Sequence, residues 1–198
     1  MILRLVRARV LPGRFDALRH GLEEGFRPWV RGSEGLIRAH VGHRTVEGAS
    51  EVLFITAWDS AEAVLAVIGG DIGRMATVEG VSDHVEPRSV DLYEVDESTV
   101  RMVDATPAVF RTSAGWIELG PDVEIQQELR SRMHDLPVEL LEAYVGRRIR
   151  GQSVEVAFVS VWADEPAGQR LDDSIWPDIS TRYDAFQVET YTPFDETG

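Results

Sequence analysis

Residues 40–60 read HVGHRTVEGASEVLFITAWDS, and residues 144–164 read YVGRRIRGQSVEVAFVSVWAD. Aligned without a gap at an offset of 104, the two stretches are identical at seven of 21 positions. The flanking segments correspond as well, since SVDLYEV at 89–95 resembles QVETYTPF at 187–194. This self-similarity predicts that the chain contains two copies of one structural unit.

The repeat divides the 198 residues into four segments. We predict a first copy at 1–96, a linker at 97–105, a second copy at 106–194 and a tail at 195–198. Each copy is a little below the size of a common small domain, which is about 100 residues.

The apolar pattern predicts the same order of elements in both copies. In the first copy it predicts strands at Ile2–Val10, Leu36–Arg44, Glu51–Trp58 and Ser89–Val95, and helices from Pro12, from Ser60 and at 71–83. Asp59 followed by Glu62 resembles a capping box for the second of these helices. In the second copy it predicts strands at Val109–Glu118, Leu140–Ile149, Val154–Trp162 and Phe186–Tyr191, and a first helix at Pro121–His134.

The order strand, helix, strand, strand, helix, strand is that of the ferredoxin-like unit. Both faces of the strand at Glu51–Trp58 are largely apolar, but the helices of one copy cover only one face of its sheet. The second copy can cover the other face. We therefore predict an α+β fold in which the antiparallel sheets of two ferredoxin-like repeats pack into an intramolecular barrel of the dimeric α+β type.

Composition excludes several chemistries. The chain has a net charge of −14 and contains no Lys, Cys or Asn, so it has no Schiff-base amine, thiol nucleophile or cysteine metal site. The acidic pI argues against a nucleic-acid or membrane partner. The amino-terminal residues MILRLVRARV do not resemble a signal peptide, and we expect a cytoplasmic protein.

The segments GRFDALRHGLEE, GLIRAHVGHR and EVLFITAWDSAEAV resemble the antibiotic biosynthesis monooxygenase (ABM) family of dimeric α+β-barrel proteins. The resemblance implies a monooxygenase-like protein that oxidises a small aromatic or polyketide-like substrate in a barrel pocket without a cofactor. A non-catalytic ligand-binding or structural protein of the same fold is the alternative. The expected partner is a small apolar or aromatic molecule, and the chain is expected to be a monomer with a pseudo-dimeric barrel or a homodimer.

The heme-degrading branch of the family uses an Asn on the first strand, and a Trp and an iron-binding His on the second helix. The corresponding positions here fall at Arg7, near Val67 and near Thr77, which argues against heme degradation. His84 lies a short distance further along and leaves weak heme binding as an open alternative.

Two residues are predicted to be catalytic. On the resemblance, His40 would deprotonate a substrate hydroxyl and Arg7 would hold the resulting anion. A hydrogen-bonded structural His and a structural ion pair are the alternatives for these two positions. At the offset of 104, Arg7 aligns with Arg111, which predicts a polar residue there in both copies.

Five residues are predicted to contact substrate: Arg38, Trp58, His84, Tyr144 and Trp162. Shared core packing is the alternative for the two tryptophans, because both copies carry them. No metal is predicted: His40 and His43 are three apart on one strand and therefore point to opposite faces.

Overall fold

The computed structural model describes residues 1–101, 105–120, 122–133 and 137–194, and within the last range the side chains of 171–177 are left undescribed. The predicted tail at 195–198, linker residues 102–104 and the predicted helix ends Pro121 and His134 therefore lie outside the described residues.

Eight strands and five α-helices form the described part of the chain. The strands are β1 (Ile2–Val10), β2 (Leu36–Val46), β3 (Ala49–Trp58), β4 (Val85–Val100), β5 (Val109–Glu118), β6 (Leu140–Arg150), β7 (Ser153–Trp162) and β8 (Ala185–Pro193). The helices are α1 (Phe15–Gly21), α2 (Arg27–Gly32), α3 (Ala61–Ile68), α4 (Asp122–Met133) and α5 (Glu165–Ser180). A π-helical segment at Leu22–Phe26 joins α1 to α2.

The strands form a closed barrel in the order β1-β3-β2-β8-β5-β7-β6-β4. The predicted α+β fold, with two ferredoxin-like repeats in one antiparallel barrel, is confirmed. Contacts group the chain into a first unit, Met1–Leu92 with Phe194, and a second unit, Tyr93–Pro193. Part of the predicted linker is a strand, because β4 runs on to Val100 and pairs with β6 from Glu94 onward.

The helix predicted at 71–83 is wrong. The structure has turns there and only one short 3₁₀ turn at Ser82–His84. Gly80, inside this segment, has a φ angle of 71°, which is incompatible with a continuous right-handed helix. The result is an irregular segment between α3 and β4, here called the 69–81 loop.

The two faces of the first sheet have different neighbours. In the register of β1 with β3, Val6 lies beside Phe54 and Ala8 beside Val52, and this face packs on the first helical stretch through Leu18 and other buried residues. The alternate residues of these strands lie on the opposite face. Among them Leu3, Leu5, Leu53, Ile55 and Ala57 are buried.

Glycines let the 69–81 loop approach the first helical stretch closely. A Cβ on Gly21 would lie 1.7 Å from the carbonyl oxygen of Gly80, and one on Gly25 would lie 2.0 Å from that of Glu79. Gly25 belongs to the π-helical segment, whose wider turn is a local irregularity of the helix. Only glycine can occupy these two positions without a backbone shift.

The register corrects the alignment of the first strands. Trp58 lies beside Ile2, and its counterpart Trp162 lies beside Val109, so β1 corresponds to β5 at an offset of 107. The later strands keep the offset of 104, since Leu36 and Leu140 lie beside the same two tryptophans. The expectation that Arg7 and Arg111 are equivalent is therefore wrong.

The cap of α3 also differs from the prediction. The hydroxyl of Ser60 accepts a hydrogen bond from the N–H of Ala63 at 3.1 Å, so Ser60 rather than Asp59 is the N-cap. In the second repeat Asp164 occupies the same position before α5 and accepts from the N–H of Ala167 at 3.0 Å. Both helices thus begin with a side-chain oxygen that satisfies a first-turn donor.

Candidate functional site

Three predicted site residues share the helix-free face of the first sheet. The register places Arg38 beside Ala57 and His40 beside Ile55 on β3. Arg7 lies beside Leu53 from the other side of that strand. Because side chains alternate along a strand, all three point to the face that carries the buried leucines.

Arg7 is engaged in an ion pair. Its Nη1 donates to Asp91 Oδ2 at 2.8 Å, and the same carboxylate oxygen accepts from the hydroxyl of Ser89 at 3.1 Å. The side chains of both charged residues are largely buried, at 16% and 12% exposure. The pair has no net charge, and it is the structural ion pair that the sequence analysis left as the alternative for Arg7. Its low exposure strengthens the attraction between the two side chains.

His40 and His43 have different environments. His40 is half-buried on the helix-free face, next to Ile55. His43 lies beside Val52 on the helix face, where its ring packs edge-on against Phe15 and Phe194 at centroid distances of 5.0 and 4.8 Å. The prediction that these two histidines point to opposite faces is confirmed.

The two tryptophans that were predicted to contact substrate are core residues on the helix side of their sheets. Trp58 is fully buried and meets Trp29 edge-on at 6.1 Å. Trp162 is buried in the core of the second unit, and its Nε1 donates to the hydroxyl of Ser160 at 2.9 Å. Both rings thus lie on faces that helices cover, whereas His40 lies on the helix-free face of the first sheet.

The remaining predicted residues are dispersed. Arg38 Nη1 donates to the carbonyl oxygen of Ile37 at 3.0 Å. His84 lies in the 3₁₀ turn before β4, and its carbonyl oxygen accepts from the N–H of Leu11 at 2.9 Å. Tyr144 belongs to the second unit, where its buried hydroxyl donates to Glu142 Oε2 at 2.8 Å.

The helix-free face of the second sheet carries tyrosine–glutamate pairs that sequence reasoning missed. Besides Tyr144 with Glu142, Tyr93 donates to Glu155 at 2.8 Å, and Tyr191 donates to Glu189 at 3.2 Å. All three glutamates are buried and have hydrogen-bond donors. Among the described residues no group of three or more His, Cys, Asp or Glu is arranged to hold a metal ion.

An open cavity of about 340 Å³ lies in the first unit, and none of the predicted site residues lines it. Its lining residues come from the 69–81 loop and from β4: Gly73, Arg74, Met75, Pro87, Arg88, Ser89 and Val90. No sequence pattern marks this cavity, because part of its lining comes from an irregular loop.

A buried arginine supports one wall of this cavity. Arg4 is 3% exposed, and its guanidinium donates to the carbonyl oxygen of Ile72 at 3.3 Å and to that of Arg74. Burial lowers the pKa of Arg4 to about 10, because its charge loses contact with water. Arg4, and not Arg7, is the equivalent of the buried Arg111, since these residues lie beside Thr56 and Ser160 at matching positions.

The family model of the antibiotic biosynthesis monooxygenases matches residues 1–67, which carry β1, β2, β3 and most of α3. The match covers about a third of the chain. The matched part contains Arg7, Arg38, His40 and Trp58, and the cavity at the 69–81 loop lies beyond it. No curated protein sequence matches this chain.

Solved structures share the fold over nearly the whole chain. A candidate monooxygenase from Fusobacterium nucleatum subsp. nucleatum superposes with a TM-score of 0.70 at 10% identity, over 98% of this chain and 92% of that protein. An anthrone oxidase-like protein gives 0.59 at 14% identity, over 98% and 92%. A heme-degrading enzyme from Listeria monocytogenes gives 0.51 at 10% identity, over 96% and 98%. At these identities the likeness concerns the fold.

No helix among the described residues is both long enough and apolar enough to cross a bilayer.

Proposed function

We propose that this chain is an ABM-type oxygenase that oxidises a small, electron-rich aromatic molecule without a bound cofactor. The observation that carries the proposal is the arrangement of His40 and Arg7 on one largely apolar face of the sheet that matches the ABM family. The two residues lie on strands separated by β3, with Cα atoms about 12 Å apart from strand geometry. A planar aromatic molecule can lie between two such side chains.

In this proposal His40 is the base and Arg7 the anion-binding group. His40 takes the proton of an acidic hydroxyl, and Arg7 stabilises the resulting oxyanion across the apolar surface. The electron-rich anion then reacts directly with oxygen. For an aryl methylene substrate such as anthrone, one oxygen atom forms the new carbonyl and the other leaves as water with the two methylene hydrogens.

Oxygen uptake with anthrone tests the proposal. We expect the wild-type protein to consume oxygen and form the quinone faster than the uncatalysed reaction, and His40→Ala to lower the rate about 100-fold. His20→Ala is the matched control, since His20 is exposed on α1. Uptake that is no faster than the uncatalysed rate, or that is equal in the two variants, would contradict the proposal.

Heme degradation is not proposed, although one structural neighbour is a heme-degrading enzyme. The first strand carries arginines where that branch uses Asn, and the chain has no Asn. Addition of heme to the full chain, followed by absorbance spectroscopy with a reductant and oxygen, tests this prediction. The heme spectrum is expected to show no conversion to a linear tetrapyrrole beyond that of free heme.

Ligand binding without chemistry is the second candidate, and one observation favours it. The cavity of about 340 Å³ is lined by none of the residues predicted from the sequence to act in catalysis or to contact substrate. A binding protein needs such a cavity and no general base. The oxygen-uptake experiment separates the two candidates, because a binding protein leaves the uptake rate unchanged.

A further inference from the structure

We propose that the cavity at the 69–81 loop is a binding site for a small organic carboxylate with an apolar body. This site goes beyond the proposed oxygenase function, because it includes neither His40 nor Arg7. Its volume, about 340 Å³, lies at the lower end of the range of small-molecule sites.

The first argument is the chemistry of the lining. Arg74 and Arg88 supply two guanidinium groups, and a guanidinium binds a carboxylate through two parallel hydrogen bonds. Met75, Pro87 and Val90 supply the apolar part of the lining. A site with cations on an apolar lining favours an amphipathic anion over a fully hydrated one such as inorganic phosphate.

The second argument is the state of the two arginines. Arg74 is exposed and has no carboxylate within ion-pair distance among the described residues. Arg88 pairs with Glu86 at 3.1 Å, but both side chains are about half exposed, so water screens that pair. Both guanidinium groups can therefore contact a ligand at small cost.

The third argument is the charge behind the cavity wall. Arg4 donates to the carbonyl oxygens of Ile72 and Arg74, and no carboxylate among the described residues neutralises it. Two nearby carboxylates act against an anion: Glu86 beside Arg88, and Asp71, which accepts from the N–H of Gly73 at 2.9 Å. A third, Asp91, accepts from Ser89 and is paired with Arg7, so that pair adds no net charge. Arg4, Arg74 and Arg88 against Glu86 and Asp71 leave a local positive balance in a chain whose net charge is −14.

Arg4 is a positioning residue in this site. Its two hydrogen bonds hold the main chain on either side of Gly73, which is the part of the loop that lines the cavity. The hydroxyl of Ser89 already donates to Asp91, so it can only accept from a ligand. The cationic contacts therefore fall to Arg74 and Arg88.

Calorimetric titration of the full chain with 2-naphthoate, and with its neutral analogue 2-naphthamide, tests the site. We expect the carboxylate to bind about tenfold more tightly than the amide, with an affinity that falls as salt is added. Arg74→Gln and Arg88→Gln should each weaken naphthoate about tenfold and leave naphthamide unchanged. Arg31→Gln is the matched control, because it removes one exposed arginine from α2.

The result that overturns the proposal is equal binding of the two probes, or the same affinity for naphthoate in Arg74→Gln, Arg88→Gln and Arg31→Gln. Arg4→Met should also weaken naphthoate, and its thermal unfolding shows whether the fold is retained. His40→Ala should bind naphthoate as the wild type does. A result that contradicts the oxygenase proposal therefore leaves the carboxylate site untouched, and a result that contradicts the carboxylate site leaves the oxygenase proposal untouched.

Discussion

Arg7 Nη1 lies 2.8 Å from Asp91 Oδ2, and this ion pair joins β1 to β4 on the helix-free face of the first unit. Both side chains are largely buried, so removal of one partner leaves a poorly hydrated charge. We expect a double-mutant cycle of Arg7→Met and Asp91→Asn, read by urea unfolding, to give a coupling energy of about 1–2 kcal/mol.

The control for this cycle is the pair of Arg88 with Glu86. Its distance is similar, 3.1 Å, but its side chains are 48% and 54% exposed. Screening by water should hold its coupling energy below about 0.5 kcal/mol. Equal coupling in the two pairs would mean that burial does not strengthen the contact of Arg7.

Gly25 is expected to be intolerant of a side chain. A Cβ there would lie 2.0 Å from the carbonyl oxygen of Glu79, which belongs to the backbone and cannot rotate away. We expect Gly25→Ala to lower the free energy of unfolding by about 2 kcal/mol or more, despite the better helix propensity of Ala.

Gly32 is the matched position, because it ends the same helical stretch and a Cβ there would meet no atom within 4 Å. Gly32→Ala should leave stability unchanged or raise it by up to about 1 kcal/mol. Thermal and urea unfolding of both variants check the prediction, which fails if the two substitutions have the same effect.

Tyr183 should make the protein sensitive to alkaline pH. Burial raises the pKa of Tyr183 well above 10, with a smaller lowering by Arg182 and a further rise from Glu128. The unfolded chain therefore loses this proton first as the pH rises, and the stability that Tyr183 contributes is present below about pH 10 and declines above it.

Tyr183→Phe should flatten this decline. We expect the melting temperatures of the variant and the wild type to run parallel below about pH 9 and to converge, or cross, above about pH 10. The Phe ring keeps the stacking on Phe186, which has a centroid distance of 5.4 Å. An unchanged alkaline slope in the variant would rule out Tyr183 as its source.

The N-cap of α3 predicts that substitutions at the neighbouring residues Asp59 and Ser60 differ in their effect on stability. Ser60 accepts from the N–H of Ala63, so Ser60→Ala should cost about 1 kcal/mol of unfolding free energy. Asp59→Ala should cost clearly less, since Asp59 is exposed and is not the cap. Urea unfolding of the two single variants checks this order. A larger loss of stability in Asp59→Ala would instead support the capping box that was predicted from the sequence.

Strands were the most predictable part of this fold. The bounds Ile2–Val10 and Val109–Glu118 are the same in prediction and structure, because each strand is followed by a turn residue, Pro12 in the first repeat and Gly120 in the second. The segment at 71–83 was mispredicted because its fold depends on tertiary contacts. Its conformation is set by hydrogen bonds from Arg4 and by close packing on Gly21 and Gly25.

The candidate site was less predictable than the fold. That Arg7, Arg38 and His40 share one face follows from strand alternation once the register is known. The engagement of Arg7 with Asp91 could not be predicted, because any of 34 acidic residues was a candidate partner. The cavity at the 69–81 loop was missed for a similar reason: an irregular loop carries no period from which its walls can be inferred.

The offset between the two repeats is 107 at their first strands and 104 at the later ones. The stretch between the first two strands is therefore three residues longer in the first repeat. Three is an odd number, so an alignment at a constant offset of 104 compares positions from opposite faces of β1 and β5. A chimera that exchanges β1 and β5 should therefore be joined at the register set by Trp58 and Trp162, and not at the offset of 104.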